Sequence, residues 1–261
     1  MNLNAIKLRY FEKVTLMNTK QKWIAFAIFV FLFLLVLQFT NPIEQDITFH
    51  LFADKRYWLK IVNFADVISN LPFLIVGLAG IKLCLNNNSE ICISWLVFFS
   101  GLILVAAGSS YYHLQPNNQT LVWDRLPMTI SFMSLFVALV VENISTKIEK
   151  KLLPAAILLG LSSVLYWQYS GDLRFYGFIQ AGTLFTIPVV LFLYKSKYSH
   201  RYYLMYGLLF YLLAKVFEMT DKLVFSLTNQ LVSGHTIKHL FAAVATYCIY
   251  LMLKKRNKSA S

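Results

Sequence analysis

Long apolar runs alternate with short polar segments along the chain. Each run is about as long as the roughly 17 to 25 residues that a helix needs to cross a bilayer. The pattern predicts an all-α, polytopic membrane protein whose seven-helix core is preceded by one extra amino-terminal transmembrane helix. The predicted spans are Trp23 to Phe39, Val67 to Leu85, Ile91 to His113, Leu126 to Val141, Leu152 to Tyr169, Phe175 to Tyr194, Tyr202 to Phe225 and His235 to Leu253.

These runs divide the chain into three parts. Residues 1–44 form a basic segment and the extra helix, residues 45–253 form the core, and residues 254–261 form a basic tail. The first run is longer than the apolar region of a usual signal peptide, and no small-residue cleavage pattern follows it in Thr40-Asn41-Pro42. We therefore expect it to be an uncleaved helix.

Composition supports a membrane protein. Of the 261 residues, 58% are hydrophobic and 14% are charged, which is more apolar than a soluble domain of this size can bury. The net charge of +12 is not gathered on one helix face, so we expect no nucleic-acid partner. The cysteines Cys84, Cys92 and Cys248 have no CxxC spacing and suggest neither disulfides nor a thiolate metal site.

The basic residues indicate the orientation of the spans. If the amino terminus is cytoplasmic, most lysines and arginines of the connecting segments fall on the inner side, as the positive-inside rule requires. Eight spans then place both termini in the cytoplasm. The short loops favour a bacterial inner membrane over a eukaryotic endomembrane, and nothing in the sequence indicates an oligomeric state.

Three histidines are expected at the same membrane depth. His113 ends the third predicted span, whereas His235 and His239 begin the eighth, both on the outer side. The latter two are four residues apart and therefore share a helix face. Three imidazoles would leave a fourth position open, as in catalytic zinc sites, although imidazole also suits copper, iron and nickel. Packing is the alternative role for these histidines.

Other polar residues lie near this depth. Asp124 is expected at the start of the fourth span, where it could cap the helix, and Ser109 shares a helix face with His113 but could bond to its own backbone. Lys215 and Glu218 are spaced to pair, and Asp221 could pair with a neighbour or orient an imidazole. Lys238 is expected to point away from the two histidines.

The combination resembles the alkaline ceramidase family, part of a superfamily of seven-helix membrane hydrolases with the adiponectin receptors and Per1-type proteins. The resemblance is carried by Gly108-Ser109-x-x-x-His113, Asp124-x-Leu126-Pro127-Met128, His235-x-x-x-His239 and Asp66-Val67-Ile68-Ser69-Asn70-Leu71. It implies that His113, His235 and His239 bind zinc and that Ser109 and Asp124 complete the active site. A bacterial-type member is favoured.

The resemblance also implies an activity, which is hydrolysis of the amide bond of a ceramide-like lipid to a fatty acid and a sphingoid-type amine. Calcium is doubtful as a second cofactor, because Asn63 stands where the family has a glutamate, although Asp54 and Asp66 could retain a weak site. Three alternatives stay open: hydrolysis of another acyl lipid, a zinc-stabilised receptor without enzymatic activity, and a transporter that uses the charges of the seventh span.

Overall fold

A computed structural model describes residues 38–86, 92–194 and 197–257, together with isolated positions between residues 24 and 35. The predicted extra helix lies partly outside the described residues, so this span stays a prediction. Most of the described residues are helical, and none of them forms a strand; Trp58 and Ile61 make an isolated bridge. Their α-helices are α1 Phe64–Ile68, α2 Leu71–Asn86, α3 Ile93–Leu114, α4 Asn118–Asn143, α5 Glu149–Ser170, α6 Arg174–Leu193, α7 Tyr203–Met219, α8 Asp221–Leu227 and α9 Gly234–Lys255.

Five spans in the described residues are long and apolar enough to cross a membrane. They are Phe64–Asn86, Ile93–Leu114, Asn118–Asn143, Arg174–Leu193 and Gly234–Lys255. The first of them combines α1 and α2. The other two predicted core spans correspond to α5 and α7. The all-helical membrane fold is thus confirmed, whereas the count of seven core spans and one extra span stays a prediction.

Two predicted spans are interrupted. The first core span breaks at Ser69-Asn70, between α1 and α2. Pro72 lies two residues further on, and because proline has no N–H, it cannot donate a helical hydrogen bond to the carbonyl of Ile68, where α1 ends. The span predicted from Tyr202 to Phe225 is likewise divided, because α7 ends at Met219 and α8 begins after Thr220.

Helix α4 begins earlier than predicted. Asn117 is its N-cap and forms a capping box with Thr120, so the helix starts eight residues before Leu126. Asp124 therefore lies in the second turn, and the expectation that it caps the helix is wrong. The sequence Asp-Arg-Leu-Pro was misleading because Pro127 lies inside the helix, where it would break a soluble helix more readily than one packed in a bundle.

The long helices form a ring. Contacts run from α2 to α3, α4, α6, α7, α9 and back to α2, while α5 packs outside against α4 and α6. Large apolar side chains such as Trp95, Phe99, Leu102 and Leu139 fill the space between the helices. The ring therefore closes around an interior that is reached by side chains from six helices.

The segment before α1 is held against the loop between α5 and α6. Ile43 accepts a hydrogen bond from the N–H of Leu173 (2.8 Å) and donates to Asp172 Oδ1 (3.2 Å). The guanidinium of Arg174 bonds the same carboxylate and lowers the pKa of Asp172 to about 2. The two hydrogen bonds of Ile43 thus anchor the segment to the loop between α5 and α6, and the ion pair holds the Asp172 carboxylate in place.

Gly108 sets the closest approach of α3 and α4. A Cβ added at Gly108 would lie 2.0 Å from the carbonyl oxygen of Trp123. In a regular α-helix this carbonyl would accept a hydrogen bond from the N–H of residue 127, but Pro127 has no N–H. The glycine and the proline together allow the two helices to meet next to Ser109 and Asp124.

Replacement of Gly108 by alanine is expected to destabilise the protein. The added methyl group would meet rigid backbone, and overpacking of this kind costs about 1 to 3 kcal/mol. The matched control is Gly182→Ala on α6, where nothing lies within 4 Å of the added Cβ. In detergent, the apparent Tm of Gly108→Ala should fall below that of the control; equal Tm values would contradict the described approach of α3 and α4.

Candidate metal centre

Three buried histidines converge at one end of the bundle. His113 lies near the end of α3, and His235 and His239 lie in the first two turns of α9. One nitrogen from each ring lies within 4.8 Å of the other two, and each pair of ring centroids is 4.9 Å apart. The group could therefore hold a metal ion.

A hydrogen bond orients the His239 ring. The Ser69 hydroxyl donates to the carbonyl oxygen of Asp66 (2.9 Å), so it accepts from His239 Nδ1 (2.7 Å). A proton on Nδ1 leaves the lone pair of Nε2 free for a metal, and metal-binding histidines commonly donate from their other ring nitrogen in this way. The break between α1 and α2 thus brings Ser69 behind a candidate ligand.

The His113 ring gives the clearest test of whether the site fits a metal. Its side chain is fully buried, and neither ring nitrogen has a hydrogen-bond partner among the described residues. A buried imidazole without partners is costly. Coordination of a cation by one nitrogen would remove part of this cost, so the three-histidine group fits a metal such as zinc.

Polar contacts hold the ligand-bearing helix ends in place. Asp221 Oδ1 accepts from the backbone N–H of His235 (2.8 Å), and Asp221 Oδ2 accepts from the N–H of Ala53 (2.8 Å). Asn63 donates from Nδ2 to the carbonyl oxygen of His113 (2.8 Å). Asp221 therefore fixes the start of α9 rather than an imidazole, and Asn63 provides a donor that a glutamate would lack.

An aromatic ring from the segment before α1 covers the histidines. The Phe52 ring lies 4.7 Å from His113 and 4.5 Å from His235, measured between centroids. Its side chain is buried, and its other neighbour is the Tyr112 ring. Phe52 therefore increases the burial of two candidate ligands.

Ser109 and Asp124 lie beside the histidines. Both are buried, and both line a cavity of about 200 Å³ that His239 also lines. They lie on facing turns, because Gly108 and Trp123, the residues that precede them, meet at the close approach of α3 and α4. Most of the cavity wall is apolar, with Phe98, Leu102 and Leu184 among the lining residues. A polar end and an apolar interior are the features expected of a lipid-binding cavity.

Lys238 does not point away from the histidines, contrary to expectation. Its Nζ lies 3.4 Å from His235 Nε2 and 2.8 Å from Glu218 Oε1. The positions i and i+3 are neighbours on a helix surface, so the error lay in treating only i+4 as the same face. The predicted pair of Lys215 and Glu218 is present.

The two carboxylates considered for calcium have partners in the protein. Asp54 is buried, which disfavours its charge, but bonds from the Arg56 backbone and guanidinium still lower its pKa. Asp66 Oδ1 accepts from the Thr236 hydroxyl (2.7 Å). The guanidinium of Arg56 also donates to the Leu231 carbonyl (2.9 Å). By orienting Arg56, Asp54 therefore helps to fix the segment before α1.

The structure thus brings together all five side chains singled out in the sequence: His113, His235, His239, Ser109 and Asp124. Sequence reasoning missed the contacts of Ser69, Phe52 and Lys238. Ser69 could have been suspected, because it stands in the segment that resembles the family signature. No local sequence signal marks Phe52, since its position depends on how the segment before α1 folds back over the helices.

Comparison with known families identifies the family of the chain. A family model described as Ceramidase matches residues 56–258, a range that includes all five of these side chains. A comparison with individually curated proteins gives no match. The family suggests ceramide hydrolysis and implies an amide hydrolase with a lipid substrate. Because the match extends over most of the sequence, the chain belongs to the ceramidase family.

Proposed function

We propose that this protein is a zinc-dependent hydrolase that cleaves the amide bond of a ceramide-like lipid within the membrane. The observation that carries the proposal is the convergence of three buried histidines with Ser109 and Asp124 at the polar end of an apolar cavity. The products are a fatty acid and a sphingoid-type amine.

His113, His235 and His239 hold the metal in this proposal. Support comes from the chemistry of the donors, since three neutral imidazoles are a common ligand set of catalytic zinc. The unpartnered nitrogens of His113 and the Ser69 hydrogen bond to His239 favour metal binding over simple packing. A zinc ion held there would polarise the substrate carbonyl and lower the pKa of a water molecule.

Asp124 moves the proton in the proposed reaction. Water adds its oxygen to the carbonyl carbon and loses a proton to the Asp124 carboxylate. The same carboxyl then gives the proton to the nitrogen as the carbon–nitrogen bond breaks, so that the amine leaves in neutral form. The Ser109 hydroxyl donates a hydrogen bond to the carbonyl oxygen as negative charge develops on it.

The cavity explains why the enzyme is embedded in the bilayer. Its apolar wall lies between the helices of the bundle, so an acyl chain can remain in an apolar environment while its amide reaches the polar end. Calcium stays doubtful as a cofactor, because Asp54 already pairs with Arg56.

The same proposal includes a topology. Residues 45–253 form the seven-helix core after an extra helix within residues 1–44, and both termini are cytoplasmic. The candidate site then faces the outer half of a bacterial inner membrane, a placement supported by the distribution of basic residues.

Purified protein is expected to release fatty acid from ceramides, and a chelator should abolish the release. The direct assay incubates the protein with ceramides, other N-acyl amines and phospholipids, with and without the chelator. His235→Ala should lose both zinc and activity, because only two ligands remain.

The matched control is His200→Ala, since His200 lies outside the cluster, between α6 and α7. This variant should keep its zinc content and its activity. Full ceramide hydrolysis by a zinc-free His235→Ala protein would refute the metal assignment. Release from phospholipids alone would instead indicate a different acyl lipid as substrate.

Ser69→Ala is expected to weaken metal binding by about 10- to 100-fold, the usual effect of removing a hydrogen-bond partner of a metal-binding histidine. The physical reason is that His239 Nδ1 loses its acceptor and the ring is no longer oriented. Competition with a zinc-binding dye measures the affinity. Ser162→Ala is the control, because Ser162 is exposed and bonds to its own helix at Leu158; equal affinities in the two variants would exclude a role for Ser69.

Asp124→Asn is expected to keep its zinc but to lower kcat by about 10²- to 10⁴-fold, the range for loss of a general base. The amide has nearly the same shape but cannot accept the proton. Asp46→Asn serves as control, because Asp46 lies outside the cavity and bonds Thr48. If kcat of Asp124→Asn stays within a few-fold of the unmodified protein, Asp124 is not the proton carrier.

A further inference from the structure

Two lysines share one carboxylate in the wall of the cavity. Lys238 Nζ lies 2.8 Å from Glu218 Oε1, and Lys215 Nζ contacts Glu218 Oε2. Lys215 and Glu218 are neighbours on α7, whereas Lys238 comes from α9. One carboxylate can neutralise one ammonium group, so this cluster carries an excess positive charge.

The excess charge faces the proposed reaction site. All three side chains line the cavity, together with Asp124 and Arg125. The lining therefore contains three strong cations and two carboxylates among the described residues. Positive charge in apolar surroundings is costly unless it is compensated, and a bound anion would compensate it.

Lys238 is the cation nearest the histidines. Its ammonium group lies 3.4 Å from His235 Nε2 and points at the lone pair of this nitrogen. The same lone pair cannot serve a metal ion and an ammonium proton together. If His235 Nε2 binds the metal, Lys238 retains its ion pair with Glu218. Its remaining N–H groups can then donate to another acceptor beside the metal.

We infer that the substrate is an acyl amide lipid with an anionic group, such as a phosphate, on the amine side, and that Lys238 binds this group. The inference rests on the proposed amide hydrolysis and narrows its substrate class. Glu218 can neutralise only one of the two lysines that contact it, and with Arg125 and Asp124 counted the lining keeps one positive charge in excess, to which Lys238 contributes beside the metal. Charge-assisted hydrogen bonds from an ammonium group to an anionic oxygen are about twice as strong as neutral ones.

Ceramide and ceramide 1-phosphate with the same acyl chain provide the test. The unmodified holoenzyme should hydrolyse ceramide 1-phosphate with a kcat/KM about tenfold or more above that for ceramide. Lys238→Met keeps the length of the side chain and removes its charge. It should lower kcat/KM for the phosphate lipid by about tenfold, chiefly through KM, and change that for ceramide by less than about threefold.

Two variants serve as controls. Lys238→Arg should retain the preference, because the charge remains. Lys222→Met should behave like the unmodified enzyme, since Lys222 does not line the cavity and lies instead in a separate pocket with Phe225. Equal or better hydrolysis of neutral ceramide by the unmodified enzyme would overturn the inference, as would an equal loss for both lipids in Lys238→Met.

Binding to a zinc-loaded but slow variant separates this inference from the proposed reaction. The Asp124→Asn holoenzyme should bind ceramide 1-phosphate more tightly than ceramide in a tryptophan-fluorescence titration, and the added substitution Lys238→Met should remove the difference. If neither lipid is hydrolysed but this binding preference is present, the proposed reaction fails and Lys238 remains an anion-binding residue. Equal binding of the two lipids refutes the inference even when ceramide is hydrolysed.

The fatty-acid product is the other possible source of an anionic oxygen. Palmitate inhibition of the unmodified enzyme and of Lys238→Met distinguishes product from substrate. If palmitate inhibits strongly, the variant relieves this inhibition, and ceramide 1-phosphate shows no preference, Lys238 binds the product carboxylate and the substrate assignment is wrong.

Discussion

The structure depends on how polar groups are accommodated inside an apolar helix bundle. A buried imidazole or ammonium group is costly unless a hydrogen bond, an opposite charge or a metal compensates it. His239 is compensated by Ser69, and Lys238 shares Glu218 with Lys215, whereas His113 has no hydrogen-bond partner for its ring among the described residues. A metal shared by the three histidines would provide the missing compensation and would account for their convergence from two helices.

The backbone contributes to the same end. Gly108 and Pro127 let α3 and α4 approach until Ser109 lies beside Asp124. The break before Pro72 places Ser69 behind His239, and Asp221 fixes the start of α9. Irregular backbone in these helices therefore occurs where it positions polar side chains, as is expected when non-helical segments are tolerated only inside a protein.

Much of this arrangement could be predicted from the sequence because hydropathy and spacing are local signals. The apolar runs predicted the core helices, and the depth of His113, His235 and His239 predicted their cluster. The start of α4 was missed, because Asn117 caps the helix far before Pro127. Lys238 and Phe52 were missed for a different reason: their neighbours, Glu218 and the histidine rings, come from segments distant in sequence.

The central claim is that one metal ion binds among His113, His235 and His239. It is tested most directly by an experimental structure of the active protein with anomalous diffraction measured on both sides of the zinc absorption edge. The account predicts one strong peak within coordination distance of all three histidines, which disappears below the edge. A fully active protein with no peak between these rings, or with its zinc elsewhere, would contradict it.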